Sequence, residues 1–239
     1  MTLPELLPLG LDGVLIRFAT TYSDAANSAA QHLAAALTGD PIPGQTEVAP
    51  GLGSVLLRFD RLTTHRADVL AALKPRLEAP QSAPFAAQHW TVPACFGGAW
   101  GADLAAAAAL AGRTEEALIS ELCATDLRVL ALGFAPGQPY LGTLPEHWQM
   151  PRLPALTPRV EAGTITTALR QIVLFAAPSP TGWRALGRTA FRPFTAAAAE
   201  PFLLRPGDSL RFTPESAENI ASLIEKGDPL GGALRSIPK

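Results

Sequence analysis

Lysine is nearly absent. Lys74, Lys226 and Lys239 are the only three in 239 residues, and the formal charge of the whole chain is −2. No basic cluster exists to track a phosphate backbone, which argues against nucleic-acid binding. Cysteine is scarce too: Cys95 and Cys123 make no Cys-x-x-Cys pair, and in a chain of this length without a secretory signal they are expected to stay reduced. His32, His65, His89 and His147 lack the spacing that places two ligands on one helix face, so no metal site is expected. No apolar run is long enough to span a bilayer, the alanine-rich stretch near Ala105 included. The first residues, MTLPELLPLGLDG, carry no positive charge ahead of an apolar core. These absences predict a soluble, cytoplasmic protein with no membrane or nucleic-acid partner. A Walker A loop, a G-x-S-x-G elbow and a dinucleotide fingerprint are all missing, so unaided nucleotide hydrolysis is not expected.

What is present is a 48% hydrophobic composition, enough for a sizeable core in one large or two small domains. The first third reads as alternating strands and helices. Gly13 to Phe18 is a strand, Ser23 or Asp24 caps an alanine-rich helix to Leu37, and Thr46 to Ala49 and Ser54 to Phe59 form a hairpin. Thr63 or Thr64 then caps a helix with a Val69, Leu70, Leu73, Leu77 stripe, and His89 to Ala94 is a final strand. That order, βαββαβ, is the split βαβ arrangement of ferredoxin-like domains. The linker composition of residues 78–85 puts a domain boundary at residue 85, so the last strand falls across it. Beyond it, 101–111 and 114–123 read as two leading helices. Short strands then recur between Gly and Pro turns at 128–132, 163–168, 172–176, 183–187 and 209–213, the pattern of a closed or sandwich-like β structure. Glu215 to Lys226 is a closing helix with Gly227 past its end.

The densest signal is GFAPGQPYLGTLP, residues 133–145, where glycine supplies backbone freedom and proline removes it. It reads as a fixed-shape loop leaving the strand at 127–132, and such loops carry either binding surfaces or plain corners. Around it the loop-rich half gathers directional donors and aromatic surfaces: Tyr140, Arg170, Gln171, Trp183 and Arg188. An arginine grips a carboxylate or phosphate with two parallel hydrogen bonds, and indole and phenol rings supply apolar walls with polar tips. Each residue also has a structural reading: Trp183 as core, Tyr140 as a corner residue, Arg188 as an ion-pair partner.

GFAPGQPYLG resembles the GFxPGFPYL signature of the family that includes the kinase inhibitor KipI, the 5-oxoprolinase subunit PxpB and allophanate hydrolase subunit 1. VPACFGGAWGADL (92–104), SPTGWRALGRT (179–189) and RPGDSLRF (205–212) match further family segments in the same order. The resemblance implies an α+β protein of two domains. Residues 1–85 would be ferredoxin-like, and residues 86–239 a cyclophilin-like β-barrel with two leading helices and a C-terminal helix. It favours Tyr140, Gln171, Trp183 and Arg188, which fall on matching motif positions; with the loop residues Phe134, Pro136 and Gly137 and the donor Arg170 read from the residues alone, these make the expected ligand-binding set, and no catalytic residue is assigned. It further implies a subunit of an ATP-dependent amidohydrolase complex of 5-oxoprolinase or allophanate-hydrolase type. Its partners would be a homologous-barrel subunit and an ATP-using lactam-utilisation subunit; ATP is implied for the complex, and no cofactor for this chain alone. The alternative it implies is a regulatory protein that inhibits a sensor histidine kinase. The chain departs from the family pattern at Leu122 for a histidine, Leu127 for a tyrosine, Gln138 for an aromatic, Thr181 for a glycine, and Leu169 and Arg170 for a glycine pair. The last change makes close backbone approach to a ligand harder.

Overall fold

The computed structural model describes residues 3–78 and 87–236, and the chain divides into two compact units, 1–85 and 86–239. The linker expected at 78–85 lies almost wholly outside the described residues.

The first unit runs β1 (Glu5–Leu9), β2 (Gly13–Arg17), α1 (Asp24–Gly39), β3 (Gln45–Pro50), β4 (Ser54–Phe59) and α2 (Arg66–Glu78). Its sheet has the order β1-β2-β4-β3, every neighbouring pair antiparallel. β2 and β3 therefore run parallel with β4 between them, which is a split βαβ. The observed order is ββαββα, however, and the fourth strand comes from the N-terminus. β1 escaped detection because ELLPL carries a proline and a mostly exposed pattern, both marks of an edge strand. Ser23 caps α1, its hydroxyl accepting from the Ala26 N–H at 3.2 Å. Val14, Ile16, Leu33, Leu37, Val55 and Leu57 join Val69 and Leu73 of α2 in one core.

The second unit begins with β5 (His89–Phe96), the strand expected to complete the first domain. It belongs instead to a barrel. Then follow α3 (Leu104–Ala111), α4 (Glu115–Ala124), β6 (Leu127–Leu132), β7 (Pro139–Gly142), β8 (Thr157–Val160), β9 (Thr164–Ala168) and β10 (Gln171–Leu174). The chain continues through β11 (Ser179–Thr181), β12 (Arg184–Arg188), β13 (Ser209–Pro214), α5 (Ala217–Lys226) and β14 (Leu234–Ser236). The sheet order is β12-β9-β10-β7-β6-β13-β5, and β12 pairs back onto β5 to close a seven-stranded barrel. This closed barrel fits the cyclophilin-like expectation for this half. β5 lies parallel to β13 over six residues and carries β14 antiparallel along its N-terminal half. Its alternating burial would suit any half-buried strand, and the partner that claims it is 120 residues away, so local pattern could not assign it.

All seven strands send side chains into one core, among them Val92, Val129, Leu141, Ile165, Ile172, Leu186 and Phe212, which is joined by Leu104 of α3 and Leu118 and Leu122 of α4. Leu122, at the position of the family's histidine, is thus a packing residue. Gly227 ends α5 in the left-handed region, as the sequence reading has it, and Thr114 caps α4, its hydroxyl accepting from the Ala117 N–H at 3.2 Å. β8 and β11 form a separate two-stranded ladder.

Candidate functional site

The 133–145 segment divides in two. Residues 133–138 are the connection between β6 and β7, closed by Gly133 N–H to Gln138 O (3.0 Å) and Gln138 N–H to Ala135 O (3.1 Å). Pro139 already opens β7, a first-residue position that needs no ladder donor. Gly137 is obligatory here: its φ is +66°, and an added Cβ would stand 2.6 Å from the Cβ of Phe194. Phe134 sits in the same left-handed region, φ +70°, with its ring exposed. Gln138, where the family has an aromatic, is buried and its side-chain oxygen finds no hydrogen-bond partner among the described residues.

Register places three of the expected residues on one face of the sheet, and a fourth, Trp183, packs onto it. Tyr140 lies opposite Val173, which lies opposite Thr166, while Gln171 lies opposite Ala168 and Arg188 opposite Thr164. Directly paired residues share a face, and this is the face turned away from the barrel core. Trp183 folds onto it, meeting Tyr140 edge to face with ring centroids 6.1 Å apart, in a small cluster with Val160, Ala168, Val173 and Phe175. The guanidinium of Arg152 stands 5.8 Å from the Trp183 ring. Burial raises the Tyr140 hydroxyl above its ordinary pKa, opposed by the charge of Arg152.

The remaining four lie elsewhere. Phe134, Pro136 and Gly137 belong to the β6–β7 connection. Arg170 occupies, with Leu169, the two-residue turn joining β9 and β10. Both have positive φ, 53° and 65°, the geometry of a type I′ hairpin turn that normally takes Asn or Gly. The replacement of the glycine pair has kept the turn and added strain. Four bonds hold it: Leu169 N–H to Met150 O (2.9 Å), Arg170 N–H to Trp148 O (3.2 Å), Leu144 N–H to Arg170 O (2.8 Å) and Arg170 Nε to Leu144 O (2.7 Å). Arg170 is therefore a clamp on residues 144–150. The eight residues of the expected ligand-binding set thus fall in three places: the outer face of the sheet, the β6–β7 connection and the β9–β10 turn.

Arg188 does line a cleft, of about 320 Å³, and sequence reasoning missed the other chemistry in it: Trp100, Asp103, Thr157, Arg159, Glu161 and Thr164. The cleft exists because β12 is bulged between Ala185 and Gly187. A bulge leaves ladder groups unpaired, and the loop of residues 97–103 takes them up. Gly97 N–H donates to Leu186 O (2.9 Å), Asp103 N–H to Ala185 O (3.0 Å), and Ala185 N–H to Asp103 Oδ2 (2.8 Å). The loop comes so close that a Cβ on Gly101 would be 2.2 Å from Leu186 O. This clamp carries Trp100 to the Arg188 guanidinium, 5.4 Å from the ring centroid, within cation–π range. Arg188 Nε also donates to Ala162 O at 3.3 Å, and among the described residues it forms no ion pair. Arg159 pairs with Glu161 at 2.7 Å, and that hydrogen bond holds the Glu161 carboxyl below its ordinary range. Two arginines against two carboxylates leave the cleft near neutrality, with one guanidinium available. Trp100 and Asp103 stand inside the VPACFGGAWGADL match, so the sequence carried a signal for them; Arg159 and Glu161 had none.

The fourth matched segment is structural. Asp208 of RPGDSLRF is buried, and its carboxylate accepts from the N–H groups of Gln88 and Arg205, both at 2.9 Å. Burial raises its pKa, opposed by those two bonds. No helix among the described residues is long and apolar enough to cross a membrane.

The family model for the carboxyltransferase domain, subdomain C and D, matches residues 4–204. The 5-oxoprolinase B subunit of Escherichia coli O157:H7 is 33% identical over 174 residues, covering 73% of this chain and 80% of that protein. Its namesake in Bacillus subtilis (strain 168) is 26% identical over 231 residues, 92% of this chain and 96% of that one. A crystal structure of TTHA0988 superposes with a TM-score of 0.76 at 33% identity, over 86% of this chain but 40% of that one, so this chain corresponds to less than half of that protein.

Proposed function

Since the chain belongs to the carboxyltransferase-domain, subdomain C and D family, alongside the 5-oxoprolinase B subunits, we propose that it is the small-molecule-binding subunit of an ATP-dependent amidohydrolase of 5-oxoprolinase or allophanate-hydrolase type. The single observation that carries this reading is Arg188, an arginine with no ion pair among the described residues, backed by Trp100 at the wall of a cleft. A guanidinium so placed grips one carboxylate bidentately while the indole bounds a flat ring or amide. The substrate class is accordingly a small carboxylate with an amide or lactam bond.

The same cleft is poorly matched to a nucleoside triphosphate. Asp103 and Glu161 balance Arg159 and Arg188, so several phosphate charges would meet no net positive field. ATP-driven activation of the amide is therefore assigned to an ATP-using companion, and a homologous-barrel companion completes the site. This chain's part is to bind and orient: Arg188 holds the carboxylate, Trp100 excludes water from one side, and the Asp103 clamp fixes both against each other.

Reconstitution with the companion subunits tests this. Arg188→Ala is expected to lower 5-oxoproline-dependent ATP turnover by about 100-fold, the loss of one charge-assisted bidentate contact in the productive complex, while the complex still assembles. Unchanged turnover in an assembled complex would remove Arg188 from the site. Tyr140→Ala, whose ring lies in the apolar cluster and not at the cleft, is expected to act chiefly on stability.

A further inference from the structure

A second cleft, of about 330 Å³, opens at the barrel seam, where β14 occupies the part of the β5 edge that β12 leaves free. It shares no lining residue with the Arg188 cleft, and the whole wall contributed by Asp228 to Arg235 lies beyond residue 204, where the family match ends. Leu203 and Leu230 supply apolar walls and Trp90 lies against them. Arg235 stands over the Trp90 ring, 5.6 Å from its centroid, and pairs with one oxygen of Glu200 at 3.2 Å, while the other oxygen of Glu200 pairs with Arg205 at 3.6 Å. Asp228 adds a second carboxylate to the lining, one oxygen of which accepts from the Leu230 N–H at 3.0 Å. Within the lining, the Thr195 hydroxyl is buried with no hydrogen-bond partner among the described residues. Charges of both signs, an apolar wall and an unused hydroxyl make a site of definite chemistry.

We infer that this cleft binds an α-amino acid with an apolar side chain. Its carboxylate replaces Glu200 at the Arg235 guanidinium, its ammonium joins Arg205 at Glu200 and meets the second oxygen of Asp228, and its side chain lies on Leu203 and Leu230. Exchange is easy because the Arg235–Glu200 pair is about half exposed, at 44% and 43%, so water already screens it. A ligand carrying only one of the two head groups forfeits one of the two charge-assisted contacts. The volume is ample for one such molecule and for few larger ones.

Isothermal titration of the full chain with L-leucine and L-phenylalanine tests the assignment. One-to-one binding is expected. Isocaproate, which lacks the amine, and isopentylamine, which lacks the carboxylate, should each bind about tenfold more weakly than L-leucine or worse, as for the loss of one charge-assisted contact. Arg235→Ala and Leu230→Glu should weaken L-leucine by a similar factor, with thermal unfolding confirming that both variants fold. Thr195→Val is a milder second probe of the same wall, expected to weaken it less. Arg188→Ala should leave it unchanged. No heat and no NMR shift at about 10 mM ligand, well above the millimolar range of a weak site, would overturn the proposal. So would an affinity unaltered in folded Arg235→Ala, or one lost in Arg188→Ala.

Discussion

The two units differ in how many polar side chains they bury. In the first, charge stays outside: Arg17 pairs with Glu5, Arg58 with Asp12 and Glu47, and Arg76 with Asp40, all with at least one largely exposed partner. Asn27 is the one buried polar side chain there among the described residues, and it donates to Leu52 O at 3.0 Å. In the barrel unit the same class includes Gln138, Thr164, Thr166, Thr167, Thr181, Arg184, Thr189 and Asp208. Buried polar groups have to be satisfied by specific geometry, so the barrel is the half whose shape is dictated by directional bonds. The first unit is held by a generic apolar core. Both clefts lie in the half built on directional bonds, because only fixed polar geometry leaves a donor such as Arg188 aimed and unspent.

The contrast is tested hardest at the clamp on β12. Gly101→Val would drive a side chain into Leu186 O and the Gly97 nitrogen, both backbone atoms that cannot move aside. The loss is expected to exceed about 4 kcal/mol, the range reserved for forced backbone displacement at a close approach. Chemical denaturation should then show the barrel signal lost while the first unit's helices persist. Simultaneous loss of both would mean that the two units do not unfold independently. Next in size is Asp208→Ala, which strands the Gln88 and Arg205 N–H groups and is expected to cost about 3 kcal/mol. Its pH dependence has a definite sign. Burial raises the native pKa above the unfolded value, so the wild-type advantage is greatest in acid and declines as pH rises through the native pKa, reaching a plateau above it. Urea midpoints of wild type and Asp208→Asn at several pH values would show the gap narrowing; a widening gap would reverse the argument.

A smaller effect of opposite sign is expected at the β9–β10 turn. Leu169 is half exposed at a φ that costs a non-glycine residue about 1 kcal/mol. Leu169→Gly should therefore stabilise the barrel by up to that amount, less the extra flexibility glycine gives the unfolded chain. A destabilised variant would mean that the Leu169 side chain makes a contact worth more than the strain.

These residues also mark where the sequence was readable. Helices α1 and α5 announced themselves through Ser23 and Gly227, because caps are local chemistry. The barrel strands were visible as short runs, but their partners were not: β5 looks alike whether it pairs with β2 or with β13. Strands β1, β7, β8, β11 and β14 were missed because each is three to five residues long and β1, β7, β8 and β11 contain proline. Within the site, Arg188 and Trp183 came from a matched segment, yet only Arg188 reaches the cleft. Which face of a bulged strand a side chain takes depends on the bulge, and Asp103, 82 residues before Ala185, sets it.

The smallest expected effect tests the quieter half. Arg58 makes two ion pairs, to Asp12 at 2.9 Å and to Glu47 at 3.4 Å, more than any other charge among the described residues of the first unit. All three side chains are more than 40% exposed, so each pair gains little in a high-dielectric setting while restricting a long side chain. Arg58→Ala is expected to change stability by about 0.5 kcal/mol or less, and that little should vanish in 1 M salt, where screening reaches about 3 Å. Leu57, its neighbour on the opposite face of β4, is fully buried, and Leu57→Ala should cost about 3 kcal/mol whatever the salt. Two adjacent residues on one strand thus separate the two sources of order. If Arg58→Ala rivals Leu57→Ala, the first unit depends on directional charge as the barrel does, and the difference between the halves disappears.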